Sequence, residues 1–276
     1  MKKVYVDNAS TSFPKAPGVS DAMKDYLDNC GVNIGRGGYS DSYDISVEVH
    51  DAREALASLF RVQNPMEIVF TPSVTYSLNI LLQGFLQNGD HVITTSMEHN
   101  AVMRPFFALS KKGVSVETVN CCTDGSLVVD DLVPLIQKNT RAIVMIHASN
   151  VCGTVLPVLD VAEICRKHGI RLLIDGAQTA GNIDIDANCF DAFAFAGHKG
   201  LLGPPGVGGF YIKKDFAEEV VPIVTGGTGS SSHNFEQPTF LPDKFEPGTM
   251  NIPGILGLRN STDYINSVGV KAIRAQ

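Results

Sequence analysis

Leu172-Leu173-Ile174-Asp175-Gly176-Ala177-Gln178 is a short apolar run that stops on a carboxylate. A charge directly behind a buried strand is costly unless a cation or a turn answers it, so Asp175 reads either as a local cap or as part of a site. A second run, Ala192-Phe193-Ala194-Phe195-Ala196-Gly197-His198-Lys199, ends on a cation. Lys199 stands between that run and a glycine-rich loop. Loss of water there lowers an ammonium's pKa and suits it to act as a Schiff-base amine. Runs that are apolar throughout are the pattern of strands covered on both faces.

The pattern continues on both sides. Residues 67–70, 91–94, 114–119, 141–147 and 208–212 read as further strands, and so do residues 4–7 near the N-terminus. Amphipathic stretches at 73–86, 100–112, 129–137 and 158–168 separate them, and a longer helix is expected over 43–60 with Val47, Ala55, Leu56 and Leu59 towards the core. This alternation implies an α/β sandwich with a mostly parallel sheet. In such sheets ligands gather beyond the carboxyl ends of the strands. The residues standing there are Thr71 to Thr75, Ser96 to His99, Ala148-Ser149-Asn150, Asp175 to Gln178, and His198-Lys199. The first of these loops enters a helix near Ser73, where free N–H groups suit a phosphate or an ordinary Ser/Thr cap. His99 is either a polar strand-end residue or an imidazole lying on a ring; spacing leaves both open.

A chain of 276 residues holds one large domain or somewhat more. The formal charge of −7, without a basic stripe, argues against nucleic acid or an anionic membrane as the main partner. No run approaches the ~18 apolar residues of a membrane helix, and the cytoplasm is the default location. The six cysteines form no disulfide framework, so reduced thiols are expected. No metal site is expected from the scattered histidines. Many of the 26 glycines sit in loops such as Gly35-Arg36-Gly37-Gly38, Gly203 to Gly209 and Gly226-Gly227.

Read in order, Tyr5-Val6-Asp7-Asn8-Ala9-Ser10-Thr11, Met97-Glu98-His99-Asn100, Ser149-Asn150-Val151-Cys152-Gly153, Asp175-Gly176-Ala177-Gln178, Gly197-His198-Lys199, Gly203 to Gly208 and Phe245-Glu246-Pro247-Gly248-Thr249 resemble the cysteine desulfurases and selenocysteine lyases of the class V aminotransferase group. The resemblance implies a pyridoxal 5′-phosphate (PLP) enzyme of fold-type I, like aspartate aminotransferase. Other class V aminotransferases, or a non-enzymatic PLP-binding remnant, share the same large domain. By resemblance, Lys199 holds the cofactor and shuttles the Cα proton, and Asp175 pairs with the pyridinium nitrogen. Gln178 and Asn150 flank the phenolic oxygen, and His99 stacks on the ring and assists proton transfer. Thr75, neighbouring N–H groups and His198 hold the phosphate. The Gly226-Gly227 loop and Thr249 resemble segments that reach a partner's phosphate, so a homodimer is implied, with a small amino-acid substrate and a possible sulfur-acceptor protein.

Two residues depart from the pattern: Ala196 and Val74 stand where relatives usually carry Ser or Thr and Thr. The resemblance also implies an arm over 1–20, a PLP-binding domain over 21–254, and a linking helix over 255–276 that opens a small domain. Relatives continue beyond it with a persulfide-forming cysteine and a carboxylate-clamping arginine. No cysteine here matches that position, and Cys152, beside Asn150, is the thiol nearest the expected cofactor loop.

Overall fold

The computed structural model describes residues 4–34, 40–230 and 234–275. The Gly35-Arg36-Gly37-Gly38 loop and Gln276 lie outside them. Seven strands form one sheet: β1 Ile68–Thr71, β2 His91–Thr95, β3 Ser115–Val119, β4 Thr140–Ile146, β5 Arg171–Asp175, β6 Ala192–Ala196 and β7 Gly208–Ile212. Their order is β1-β7-β6-β5-β4-β2-β3. Only β7 runs against its neighbours. The helices are α1 Val19–Asp25, α2 Ser40–Leu59, α3 Val74–Phe85, α4 Asn100–Ser110, α5 Val158–His168, α6 Lys214–Glu219, α7 Ile252–Val268 and α8 Val270–Arg274.

Both faces of the sheet are covered, which is why its strands read as apolar runs. Residues of α2, α5 and α7 pack on one face, and those of α3, α4 and α6 on the other. β6 shows how sequence sets the two layers. Alternate side chains point to opposite faces, so Phe193 and Phe195 enter the first layer while Ala192 and Ala194 enter the second. The Phe60 ring meets both phenylalanines, at 5.2 and 5.3 Å between centroids. The alanine methyls on the other face let α3 lie close against the strand.

Four local expectations are corrected. Residues 4–7 form no strand: Val4 and Val6 are exposed, and Tyr5 Oη instead donates to the Thr11 carbonyl at 2.9 Å. Residues 129–135 form a 3-10 helix rather than an α-helix. Pro134 within it lacks an N–H and its ring clashes with an α-helical carbonyl one turn back. In α2, Val47 faces solvent, and the buried stripe is Ile45, Val49, Ala52 and Leu56, at helical spacing. The helix expected from residue 255 begins at Ile252, packs Ile255, Leu258 and Ile265 into the core, and breaks at Gly269, whose φ of 87° lies in the left-handed region. Among the described residues no helix is long and apolar enough to cross a membrane.

Candidate active site

All strands but β7 end on one edge of the sheet, and β7 begins there. Register aligns Ala196 with Gly208 and Gly208 with Thr71, while Asp175 lies beside Ile146 of β4. The chemistry-bearing residues stand just past this edge.

Asp175, the last residue of β5, is 1% exposed, and its Oδ1 accepts the Ala177 N–H at 2.9 Å. Burial raises its pKa, opposed by that hydrogen bond and by the charges of Lys199 and His99. Lys199, in the turn after β6, is half-buried. Loss of water lowers its pKa against the pull of Asp175. Lys199 and His99, from two other elements, therefore both act electrostatically on Asp175. His99 is an exposed N-cap of α4, and its Nδ1 accepts the Ala101 N–H at 3.1 Å. That bond assigns the proton of the neutral ring to Nε2.

The mouth of α3 forms a second feature. Ser73 Oγ accepts the Tyr76 N–H at 3.3 Å, which leaves the first-turn N–H groups of Val74 and Thr75 without an intrahelical acceptor. Thr75 itself is exposed. β7 starts directly beneath this mouth, where a Cβ on Gly208 would stand 3.2 Å from Val74 N and 2.7 Å from the Phe195 carbonyl. A larger residue would push the strand from the helix end. Ala196 is buried in the same row and offers no hydroxyl there.

The remaining expected residues are spread more widely. Asn150 is exposed in the turn after β4. Gln178 Nε2 donates to the Ala9 carbonyl at 3.0 Å, and His198 Nδ1 lies 3.1 Å from Thr11 Oγ1. Thr249 is exposed and lines a cavity of about 190 Å³ together with Thr71, Pro72 and Tyr76. The Gly248 N–H donates to the Gly227 carbonyl at 2.8 Å, so the two segments expected to reach a partner are joined to each other. A larger cavity of about 850 Å³ lies at the opposite edge, against Thr140, Arg141 and Arg171 at the strand starts. Its charged side chains are largely paired, as in Arg171 with Asp191 and Asp215. The convergence of Asp175, Lys199 and His99 outweighs volume in locating the site.

Sequence reasoning missed three groups of residues. The arm clamps the carbonyl of His198, which accepts Ser12 N–H at 2.9 Å, Thr11 Oγ1 and Ser12 Oγ each at 3.1 Å, and Lys15 Nζ at 3.0 Å. The residue before Lys199 is thus held by a segment far away in sequence, and no local pattern announces that. Arg53 and Glu246 form a buried ion pair under the loop that carries Thr249. Glu98 stands three residues beyond β2, whose polar end Thr94-Thr95 gives no uninterrupted apolar run to announce it, yet its carboxyl is likewise buried.

Together the residues fit PLP: a buried carboxyl for a ring nitrogen, a desolvated amine for a carbonyl carbon, and a helix mouth for a phosphate. The aminotransferase class-V family profile matches residues 4–276. The chain is 35% identical to a probable cysteine desulfurase of Methanothermobacter thermautotrophicus, over 98% of this chain and 68% of that protein. It is 34% identical to a cysteine desulfurase of Haloferax volcanii, over 99% of this chain and 66% of that one. The apo structure of a cysteine desulfurase from Thermococcus onnurineus superposes with a TM-score of 0.91 at 30% identity, covering 99% of this chain and 70% of that chain. The chain thus spans about two thirds of the length of its relatives.

Proposed function

The chain belongs to the class-V aminotransferase family, and on that premise we propose that it is the PLP-binding part of a cysteine desulfurase that acts on L-cysteine or selenocysteine. One observation carries the reading: Asp175 is a buried carboxylate within electrostatic reach of both Lys199 and His99. When bound, PLP supplies an electron sink for negative charge at the substrate's Cα.

Every other part belongs to the protein. Lys199 holds the cofactor through Nζ and then moves the Cα proton; its depressed pKa keeps more of the amine neutral and nucleophilic. Asp175 keeps a proton on the ring nitrogen. His99, with its Nδ1 engaged by α4, presents Nε2–H for ring contact and proton transfer. Gln178 and Asn150 flank the ring's phenolic oxygen. Thr75, the first-turn N–H groups of α3 and Nε2 of His198 hold the phosphate. Clamped by Thr11, Ser12 and Lys15, the His198 carbonyl limits how far Lys199 swings.

The wider organisation is part of the proposal. Residues 1–20 act as an arm, 21–254 as the cofactor domain, and 255–276 link to a second domain. Thr249 and the Gly226-Gly227 loop serve a partner's phosphate in a two-fold homodimer, the commonest closed oligomer. Sulfur passes to a thiolate and then to an acceptor protein in the cytoplasm.

The test is direct. PLP is added, borohydride fixes it, and peptide mapping locates it; Lys199 is the expected position, and a label on another lysine overturns the assignment. L-Cysteine should yield alanine and sulfide in the presence of reductant, in a chain supplied with any further segment its gene encodes. Pyruvate-dependent amino transfer without sulfide would make it an aminotransferase instead.

A further inference from the structure

Glu98 takes no part in the chemistry above, yet its carboxyl is buried at the same edge of the sheet. Oε1 accepts Thr95 Oγ1 at 2.6 Å and the Ile146 N–H at 2.9 Å. Oε2 is buried and has no hydrogen-bond partner among the described residues. An ionised carboxylate would leave a charged oxygen unpaired and out of water, which costs far more than an unpaired hydroxyl. Ile146, which donates to Glu98, is in register with Asp175 on the adjoining strand. The two carboxyl groups thus flank one residue of β4. Within the crevice, Lys199 and His99 act electrostatically on Asp175. Among the described residues, the Cys121 thiol beyond β3 also faces Glu98, whose charge would disfavour its ionisation.

We propose that Glu98 is a proton-bearing positioning residue, a neutral acid that ties the turn carrying His99 to the end of β4 and adds no second negative charge beside Asp175. The protonation state is a property of the chain alone; its consequence for a ring nitrogen rests on the PLP reading. Burial, with repulsion from Asp175, pushes Glu98 up to about 8 despite its two hydrogen bonds.

The sign of the linkage follows. The folded chain keeps a proton that the unfolded chain releases above its ordinary value of 4.5, until Glu98 itself ionises near 8. Between those values the native state binds more protons, so stability falls as pH rises through the window, and the loss is complete above it.

The experiment compares wild type with Glu98→Gln, which keeps an acceptor at Oε1 and cannot ionise. Urea midpoints of the cofactor-free chains are measured from about pH 6 to about pH 9. Glu98→Gln should gain on wild type as pH rises to about 8 and level off above it; parallel profiles below about pH 8 would mean that Glu98 is ionised throughout and would overturn the proposal. In parallel, PLP affinity is read by absorbance. Above about pH 8 wild type should weaken more steeply than Glu98→Gln, and the two should lie within about threefold of each other at neutral pH. A variant that loses the cofactor at neutral pH would show that the ionised form is the working one. Should neither protein bind PLP, the cofactor reading fails while the urea comparison still decides the state of Glu98. Glu98→Ala is not needed, so a failure of that variant to fold leaves the test intact.

Discussion

Removing Glu246 should unfold this protein at markedly lower denaturant, although it has no part in the proposed chemistry. Its carboxylate meets Arg53 in a two-pronged pair, Nη1 to Oε1 at 2.8 Å and Nη2 to Oε2 at 2.6 Å. The two side chains are 5% and 6% exposed. Oε1 also accepts the Phe70 N–H of β1 at 2.6 Å, and Arg53 donates to the Ile68 carbonyl and lies over the Phe70 ring at 4.6 Å. The pair therefore joins α2, the start of the sheet and the loop of Thr249. Glu246→Ala would leave a guanidinium buried without its anion, a loss of roughly 3–5 kcal/mol, together with an orphaned Phe70 N–H. Total stability is roughly 5–15 kcal/mol for such a domain, so one substitution removes a large share. With urea slopes of about 1–3 kcal/mol/M the midpoint should drop by on the order of 1 M or more. Arg53→Ala should be comparably harmful. The pair Arg53→Met with Glu246→Leu should cost less than the sum of the single changes, because it removes both charges at once. Single variants within about 1 kcal/mol of wild type, or strictly additive behaviour, would refute the argument that the charges depend on each other.

Three further outcomes are expected. Asp175→Asn should leave the cofactor-free fold intact and relatively more stable towards higher pH, because burial raises the Asp175 pKa and its ionisation works against folding as pH rises. The same change should weaken PLP binding roughly 10- to 100-fold through loss of a charge-assisted bond, and melts that collapse alongside affinity would make Asp175 a structural cap. Lys15→Met removes the donor to Thr11, Ser12 and the His198 carbonyl, and should cost about 1 kcal/mol and speed PLP release in stopped-flow exchange; unchanged release would show that the arm does not hold the Lys199 turn. Hydrogen bonds with Ser149 and Thr154 bring the Cys152 thiol down to about 7, whereas burial pushes Cys165 up to about 12. Iodoacetamide at neutral pH should therefore modify Cys152 well ahead of Cys165, with Ser149→Ala slowing the reaction, as mass spectrometry of timed digests would reveal.

Much of this architecture is written locally. A strand buried on both faces must be apolar along its length, so Leu172 to Ile174 and Ala192 to Phe195 announce themselves, and a charge behind such a run, as at Asp175 and Lys199, stands out against them. Helices over 74–85 and 158–168 follow for the same reason, from a periodicity that one face of packing imposes. What the chain order does not encode is adjacency. The reversal of β7, the arm gripping His198, and Arg53 meeting Glu246 from 193 residues away are long-range contacts. Arg53 has the side chain of a solvated surface residue, and its burial exists only because Glu246, Phe70 and Ile68 surround it after the sheet closes. Glu98 makes the same point at the site itself. Its place behind β2 was readable, but the unpaired oxygen and the neighbouring Asp175 arise when β4 is inserted between β2 and β5. Desolvation and pairing are properties of the space around a group, and that space is assembled only by the tertiary fold.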